Sequence, residues 1–427
     1  MIQVNDNRPE RAVLMGLNSS RSEEREIEYE WREFAELVEA AGAVIIARVA
    51  QNRETPDPAL FLGTGKVEEL AGAVREHGAD LVVSLQELSP VQIRNLEERT
   101  GVRVIDRTNL ILDIFAQRAQ SHEGKLQVEL AQLSYALPRL SGAGLALSRL
   151  GGGIGTRGPG ETKLETDRRT VRTRIADLRR ELAEVRRIRS VQRHLREKNE
   201  IPTVAMVGYT NAGKSTLFNR LTAAGTSAQD RLFDTLDPLS RQLTLPNRRT
   251  AIFLDTVGFI SKLPHQLVAA FRATLEETIR ASLILHVMDA EAPDLLRRYD
   301  AVQEVLTELE VREKETLLVL NKTDRLESEP AIQRMAKEWA AIPVSAMTGA
   351  GFEALLAAIQ RKLESNLEVI ELLLPFTEAG LLDQIHRRYR VLETNYIESG
   401  IRVRVELERS YALQFQRFRA DGPEQPC

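Results

Sequence analysis

The segment Gly-Tyr-Thr-Asn-Ala-Gly-Lys-Ser at 208–215 constrains the fold and chemistry of this 427-residue chain more than any other feature. It stands between an apolar, strand-like run at 203–207 and a helical sequence that begins at Thr216. This order is that of a P-loop, whose glycines let backbone N–H groups turn toward phosphate oxygens at a helix N-terminus. We expect Lys214 to reach the β- and γ-phosphates and Ser215 to bind Mg²⁺. The residues expected to touch the nucleotide here are Gly208, Tyr209, Thr210, Asn211, Ala212, Gly213, Lys214, Ser215 and Thr216.

A second motif, Asp-Thr-Val-Gly, ends the apolar run at 251–254. We expect the Asp255 carboxylate to hold Mg²⁺ through water and the Gly258 N–H to sense the γ-phosphate. The segment 233–238 precedes this motif and offers Thr235 as the threonine that binds Mg²⁺ and the γ-phosphate in the GTP state. The alternatives to it are Ser240 and Thr244. The predicted catalytic residues are Lys214, Thr235 and Gly258, and the predicted metal ligands are Ser215, Thr235 and Asp255.

A third motif, Asn-Lys-Thr-Asp at 321–324, follows another apolar run and indicates which base is bound. The carboxylate of Asp324 can accept hydrogen bonds from guanine N1–H and N2–H₂, and adenine has no donors in those places. We expect Lys322 to lie over the base and Asn321 to tie the loops together. Ser345 and Ala346 are expected to complete the pocket through backbone contacts. Together the motifs predict a GTPase with GTP as substrate and GDP as product.

Some GTPases place a glutamine directly after the Asp-x-x-Gly motif to orient the attacking water. Here that position is Phe259, followed by Ile260, and neither side chain can hydrogen-bond to water. One interpretation is that other groups of the enzyme orient the water; the one we favour is slow intrinsic hydrolysis completed by a partner. Asn211 is a candidate ligand for K⁺ beside the phosphates, although we favour a role in stabilising the loop.

The composition is that of a globular protein: 43% of the residues are apolar and 28% are charged, with a net charge of −4. Two to four domains are expected at this length. The only cysteine is Cys427, which excludes a disulfide framework and a cysteine-based metal site. The first residues contain no apolar segment of the signal-peptide type, and no apolar run approaches the ~18 residues that span a bilayer. We therefore expect a cytoplasmic protein that requires no membrane.

Hydrophobic spacing predicts an α/β multidomain fold with four parts. Alternating strands and helices indicate a parallel α/β domain at 1–108, and a second α/β series at 200–364 is the GTPase domain. Two helical segments with heptad-like apolar seams, joined by a glycine-rich loop, predict an antiparallel hairpin at 109–199. A dimeric coiled coil is the competing interpretation. Strand-like and helical patterns at 365–427 predict a small α+β domain.

The charge is distributed unevenly along the chain. Residues 168–198 contain twelve Lys and Arg against four Asp and Glu, so this segment carries +8 and the rest of the chain −12. A basic helix with a separate apolar seam favours contact with nucleic-acid phosphates over a merely solvated face. Aromatic residues are scarce here, so backbone contact with structured RNA fits better than base stacking. A glycine-rich tip with Arg149 and Arg157 suits close approach to RNA.

Three segments closely resemble the HflX family of ribosome-associated GTPases, over essentially the whole chain. They are RVIDRTNLILDIFAQRAQSHEGKLQVELAQLSYALPRL at 103–140, GGGIGTRGPGETKLETDRR at 151–169 and GYTNAGKST at 208–216. The chain departs from the family in its switch segment at 234–241, which reads DTLDPLSR instead of the more usual ATLDPTTR. The family's contacts at this segment therefore do not carry over to Leu239 and Ser240. It also has Gly-Thr-Gly-Lys at 63–66, where the family commonly has Gly-Lys-Gly-Lys.

The resemblance implies binding to the large (50S) ribosomal subunit and its rRNA, with the hairpin tip directed at the peptidyl-transferase region. It also implies splitting or rescue of stalled ribosomes under stress by a ribosome-stimulated GTPase, which we expect to be a monomer. A fraction of the protein is expected on ribosomes or at the membrane. ATP binding is reported for the N-terminal domain of some members. Two rivals remain: an ATP-dependent RNA-remodelling enzyme that uses the N-terminal domain, and a non-catalytic GTP-switched RNA-binding regulator.

Overall fold

The computed structural model describes residues 8–19, 23–140, 159–198, 201–223, 233, 239–261, 279–311, 314–326, 328–365, 367–408 and 412–420. Within the helix at 159–198, side chains are described from 165 to 185 and at 187 and 188. The described residues form two compact units. The first contains those up to Val185 together with Phe233, and the second contains the others.

The first unit contains a parallel four-stranded sheet in the order β2-β1-β3-β4. Its strands are β1 (Arg11–Asn18), β2 (Val44–Asn52), β3 (Leu81–Ser84) and β4 (Arg103–Asp106). The helices beside them are α1 (Glu24–Ala40), α2 (Thr64–His77) and α3 (Pro90–Thr100). Helix α3 starts directly after Ser89, and the Ser89 and Gln92 side chains each accept the other's backbone N–H, which stabilises this helix start. The predicted parallel α/β fold of this region is confirmed.

Helix α4 (Arg107–Arg118) follows β4 directly and spans the boundary predicted at 108. Its side chains from Leu110 to Phe115 are almost fully buried, and the helix packs as part of the N-terminal core. The ring of Phe115 meets that of Phe233 edge to face, with centroids 4.8 Å apart. Phe233 is itself buried, so the chain between the P-loop helix and the next strand places an aromatic anchor in the first unit.

Helices α5 (His122–Arg139) and α6 (Pro159–Lys198) carry the two predicted seams. Leu126 of α5 packs with Leu178 and Leu182 of α6, and all three are buried. The Arg174 guanidinium makes two hydrogen bonds to the Glu129 carboxylate, at 2.7 and 2.8 Å. The two helices therefore pack against each other through the leucines that the heptad-like spacing selects. The tip at 141–158 lies outside the described residues.

The second unit contains a six-stranded sheet in the order β10-β9-β8-β5-β7-β6, in which only β6 is antiparallel to its neighbour. Its strands are β5 (Thr203–Gly208), β6 (Leu239–Thr244), β7 (Thr250–Asp255), β8 (Leu283–Asp289), β9 (Thr316–Asn321) and β10 (Ile342–Pro343). Its helices are α7 (Lys214–Thr222), α8 (Leu295–Glu308), α9 (Glu329–Glu338) and α10 (Phe352–Ser365). The central strands are buried along their length, as a parallel sheet covered on both faces requires.

The same unit ends in an antiparallel sheet of order β11-β13-β12. Its elements are β11 (Leu367–Leu374), α11 (Ala379–Arg388), β12 (Arg390–Ile397) and β13 (Gly400–Glu408). Alternate residues Ile401, Val403 and Val405 of β13 are buried and share a core with Ile385 of α11. The alternation of apolar residues in the sequence therefore correctly indicates which face of β13 is buried. The predicted α+β fold is confirmed.

Candidate nucleotide site

The P-loop turns from β5 into α7 at two glycines that tolerate no side chain. A Cβ at Gly208 would lie 2.2 Å from the carbonyl oxygen of Val287. Gly213 has a φ of +84°, and a Cβ there would lie 2.2 Å from Nδ2 of Asn321. The loop therefore passes close to β8 and the Asn321 side chain and leads into the N-terminus of α7, the kind of position at which phosphate oxygens bind.

Lys214 begins α7 and is 5% exposed. Its Nζ donates hydrogen bonds to the carbonyl oxygens of Gly208, at 3.2 Å, and Tyr209, at 3.0 Å. An ammonium group has three donors, so one remains for a phosphate oxygen. Burial lowers the pKa of Lys214 to about 8, against the charge of Asp255, which acts in the opposite direction. A bound polyphosphate supplies the negative charge that this buried ammonium favours.

The Asp-x-x-Gly motif meets the P-loop at the end of β7. Asp255 is fully buried, and the Thr256 hydroxyl donates to the carbonyl oxygen of Met206 at 2.7 Å. A Cβ at Gly258 would lie 2.9 Å from Cα of Thr210 and 3.1 Å from Nζ of Lys214. The glycine therefore lies directly against the loop and the lysine. The structure thus brings Lys214, Asp255 and Gly258 together.

The two predicted base motifs also meet. The Asn321 side chain donates to the carbonyl oxygen of Ala212 at 2.9 Å and accepts from the N–H of Ala346 at 3.0 Å. It therefore joins the P-loop to the segment that follows β10. The Ser345 hydroxyl donates to Oδ1 of Asp324 at 2.5 Å, which orients that carboxylate. Only backbone contacts were predicted for Ser345. Its side chain also has a role, because it orients the Asp324 carboxylate.

Lys322 adopts a left-handed backbone conformation with φ 63°, and its Nζ lies 2.8 Å from Oδ2 of Asp289. This ion pair is mostly buried and fixes where the lysine stem passes. Asp289 was not among the predicted residues. The available signal was its position at the end of a largely apolar run, and in the structure β8 pairs in parallel with β9 and sets Asp289 opposite Asn321.

Two predicted residues, Thr235 and Thr244, lie outside the described residues or apart from this cluster, whereas Asn211 belongs to the P-loop itself. Thr235 lies outside the described residues. Thr244 pairs with Thr250 at the far end of β6, five residues and about 16 Å from the pairing of Leu239 with Asp255, which removes it as a ligand. Asn211 is exposed, with φ 61°.

The Phe259 and Ile260 side chains are 2% and 1% exposed. They pack into the interior of the domain, so the position that other GTPases give to a glutamine presents no side chain to a water molecule. At the start of α2, Lys66 pairs with Glu69 at 2.8 Å and the Gly63 N–H donates to Gln51 at 2.9 Å.

A P-loop on a parallel sheet, an Asp-x-x-Gly segment against its lysine and an Asn-Lys-x-Asp pocket beside it define a P-loop GTPase. Three family profiles match the chain: "GTP-binding GTPase N-terminal" at 28–116, "GTP-binding GTPase Middle Region" at 118–196 and "50S ribosome-binding GTPase" at 203–322. Among the described residues, no helix is long and apolar enough to cross a membrane.

Curated relatives match over nearly the full length. A GTPase HflX of Caldanaerobacter subterraneus subsp. tengcongensis is 48% identical over 409 residues, covering 96% of this chain and 94% of that protein. The GTPase HflX of Escherichia coli is 46% identical over 395 residues, 91% of each chain. The fold is also similar to a crystal structure of the SsGBP and GDP complex, with TM-score 0.48, 26% identity and coverage of 82% of this chain and 98% of that one. The chain belongs to the HflX family of GTPases.

Proposed function

We propose that this GTPase binds the large ribosomal subunit through the α5–α6 hairpin and, in its GTP form, splits or rescues stalled ribosomes. The observation that carries the proposal is a basic face on α6, separate from its leucine seam. The "50S ribosome-binding GTPase" profile and the HflX relatives support the choice of partner.

The basic face is defined by five exposed arginines, which are Arg169, Arg172, Arg179, Arg180 and Arg187. At 3.6 residues per turn they occupy an arc of about 100°, centred roughly 130° from the seam that Leu178 and Leu182 bury. Arg172 and Arg180 have acidic neighbours in Glu165 and Asp177 on the same helix. Such exposed pairs are worth little and exchange readily for phosphate contacts, so the face suits an RNA backbone.

The nucleotide site provides the GTP-dependent conformational switch. Its donors are hard oxygens, from Ser215 and Asp255 with Thr235 as the third candidate, and these fit Mg²⁺ beside a triphosphate. Mg²⁺ when bound neutralises developing charge on the phosphates. Lys214 holds the β- and γ-phosphates, Asp324 selects guanine, and the Gly258 N–H contacts the γ-phosphate. GTP binding would then favour the ribosome-competent conformation and hydrolysis would release it.

Sedimentation of intact ribosomes with the protein and GTP, GDP or a non-hydrolysable GTP analogue tests the proposal. We expect free subunits with GTP and the analogue but not with GDP, and a rise of more than about threefold in turnover when ribosomes are added. Arg169→Glu/Arg179→Glu should abolish both effects and leave ribosome-free turnover unchanged. Arg334→Glu/Arg361→Glu, which makes the same change of charge at exposed positions in the other unit, is the matched control. Ribosomes that remain intact in every nucleotide would refute splitting, though not GTP hydrolysis.

The rivals predict different outcomes in the same assay. An ATP-dependent enzyme that works through the N-terminal domain would keep full activity with ATP in an Asp324→Asn variant. A non-catalytic switch would still act on ribosomes after Lys214→Ala. We expect both variants to be inactive.

A further inference from the structure

Tyr209, the second residue of the P-loop, bonds to the segment that follows the Asp-x-x-Gly motif. Its hydroxyl oxygen lies 2.7 Å from the hydroxyl of Ser261 and accepts the Ser261 N–H at 2.8 Å. The tyrosine is 4% exposed and Ser261 is half-buried, so both bonds are partly buried. The guanidinium of Arg298 lies 5.3 Å from the ring centroid and is held by Asp294 at 3.0 Å, which favours this ring orientation.

Two backbone hydrogen bonds continue the same contact. The Phe259 N–H donates to the carbonyl oxygen of Gly208 at 3.1 Å, and the Thr210 N–H donates to the carbonyl oxygen of Phe259 at 2.7 Å. Residues 259–261 are thus joined to the P-loop as a short parallel bridge. The bridge is secured at one end by the buried Phe259 ring and at the other by the Tyr209 hydroxyl.

We propose that Tyr209 is a positioning residue that, by anchoring Ser261, fixes the Gly258 N–H for the γ-phosphate and so sets the preference for GTP over GDP. Gly258 is the residue directly before the bridge, and a Cβ there would lie within 3.1 Å of the Lys214 ammonium. P-loop donors serve diphosphates and triphosphates alike, whereas a donor at Gly258 serves only the third phosphate. The inference rests on the proposed γ-phosphate contact of Gly258. It adds that the Tyr209 hydroxyl, which bonds to Ser261, acts on this contact indirectly.

The chain allows a graded test. Tyr209→Phe removes both bonds of the hydroxyl, whereas Ser261→Ala removes only the one to Oγ and keeps the backbone N–H donor. Dissociation constants for fluorescent GDP and for a fluorescent non-hydrolysable GTP analogue, with Mg²⁺ and without ribosomes, give the GTP-to-GDP preference of each variant. We expect that preference to fall about tenfold in Tyr209→Phe and about threefold in Ser261→Ala. The double variant should match Tyr209→Phe, because the bond between the Ser261 hydroxyl and the Tyr209 hydroxyl is already absent there.

Tyr299→Phe is the matched control, because it removes a tyrosine hydroxyl from α8 of the same domain, away from residues 259–261. The GTP-to-GDP preference of Tyr299→Phe should equal that of the wild-type protein. A loss of preference in Tyr299→Phe as large as that in Tyr209→Phe would overturn the proposal. A wild-type preference in Tyr209→Phe, or additive losses in the double variant, would overturn it as well. Gly258→Ala distinguishes a failure of the positioning role of Tyr209 from a failure of the proposed γ-phosphate contact. If it lowers the preference while Tyr209→Phe does not, only the positioning role fails; if it has no effect, the γ-phosphate contact itself fails.

Discussion

Gly213→Ala should disable nucleotide binding through two separable effects. The φ of +84° at this position strains any side-chain-bearing residue by about 1 kcal/mol or more. The added Cβ would also lie 2.2 Å from Nδ2 of Asn321, which must therefore move. Asn321 would then lose its bonds to Ala212 and Ala346, each worth about 1 kcal/mol. Nucleotide binding has to restore this arrangement of the loop and Asn321, so the sum of about 3 kcal/mol corresponds to a loss of affinity of roughly 150-fold.

Gly42→Ala isolates the backbone effect. Gly42 has a φ of +90° and nothing within 4 Å of a built Cβ, so the substitution carries the strain without the collision. We expect GDP affinity, measured by fluorescence titration, to fall at least about 100-fold in Gly213→Ala and to stay unchanged in Gly42→Ala. Both variants should unfold at lower denaturant concentration than the wild-type protein. GDP binding within about threefold of wild type in Gly213→Ala would refute the argument that Asn321 depends on this glycine.

Two further predictions concern base choice and pH. Asp324→Asn should lower GTP affinity by at least about 100-fold and shift preference toward xanthosine nucleotides, whose carbonyl at C2 can accept from the new amide; competition titrations measure this. Burial, aided by the charge of Lys214, lowers the pKa of His286 to about 3, so the folded state resists a proton that the unfolded state accepts near pH 6.5. Stability should therefore fall as the pH drops below 6.5, by about 2 kcal/mol at pH 5. Urea unfolding at pH 7 and 5, followed by Trp339 fluorescence in a Trp31→Phe background, should show this loss, and His286→Gln should lack it.

Structure could be predicted from the sequence most accurately where a residue type or a pattern is compatible with one local conformation. The positive φ of Gly213 and the burial of alternate residues in β13 follow from local rules about glycine and about period-2 strands. The end of an apolar run marks Asp289 as a candidate, but its ion pair with Lys322 could not be predicted, because it depends on which strands become neighbours. The contact of Tyr209 with Ser261 was equally hidden, since neither residue type at that spacing has a preferred partner.

The burial of Phe259 gives the missing glutamine a physical explanation. A glutamine at 259 would have to reach a water molecule at the γ-phosphate, but both backbone groups of this residue are bonded to the P-loop and its ring is in the core. With its ring buried, residue 259 presents no side chain to a water molecule. The residue before it, Gly258, lies against Lys214. Acceleration of hydrolysis must then come from groups other than the side chains at 259 and 260, which is the condition under which the proposed ribosomal partner could control the rate.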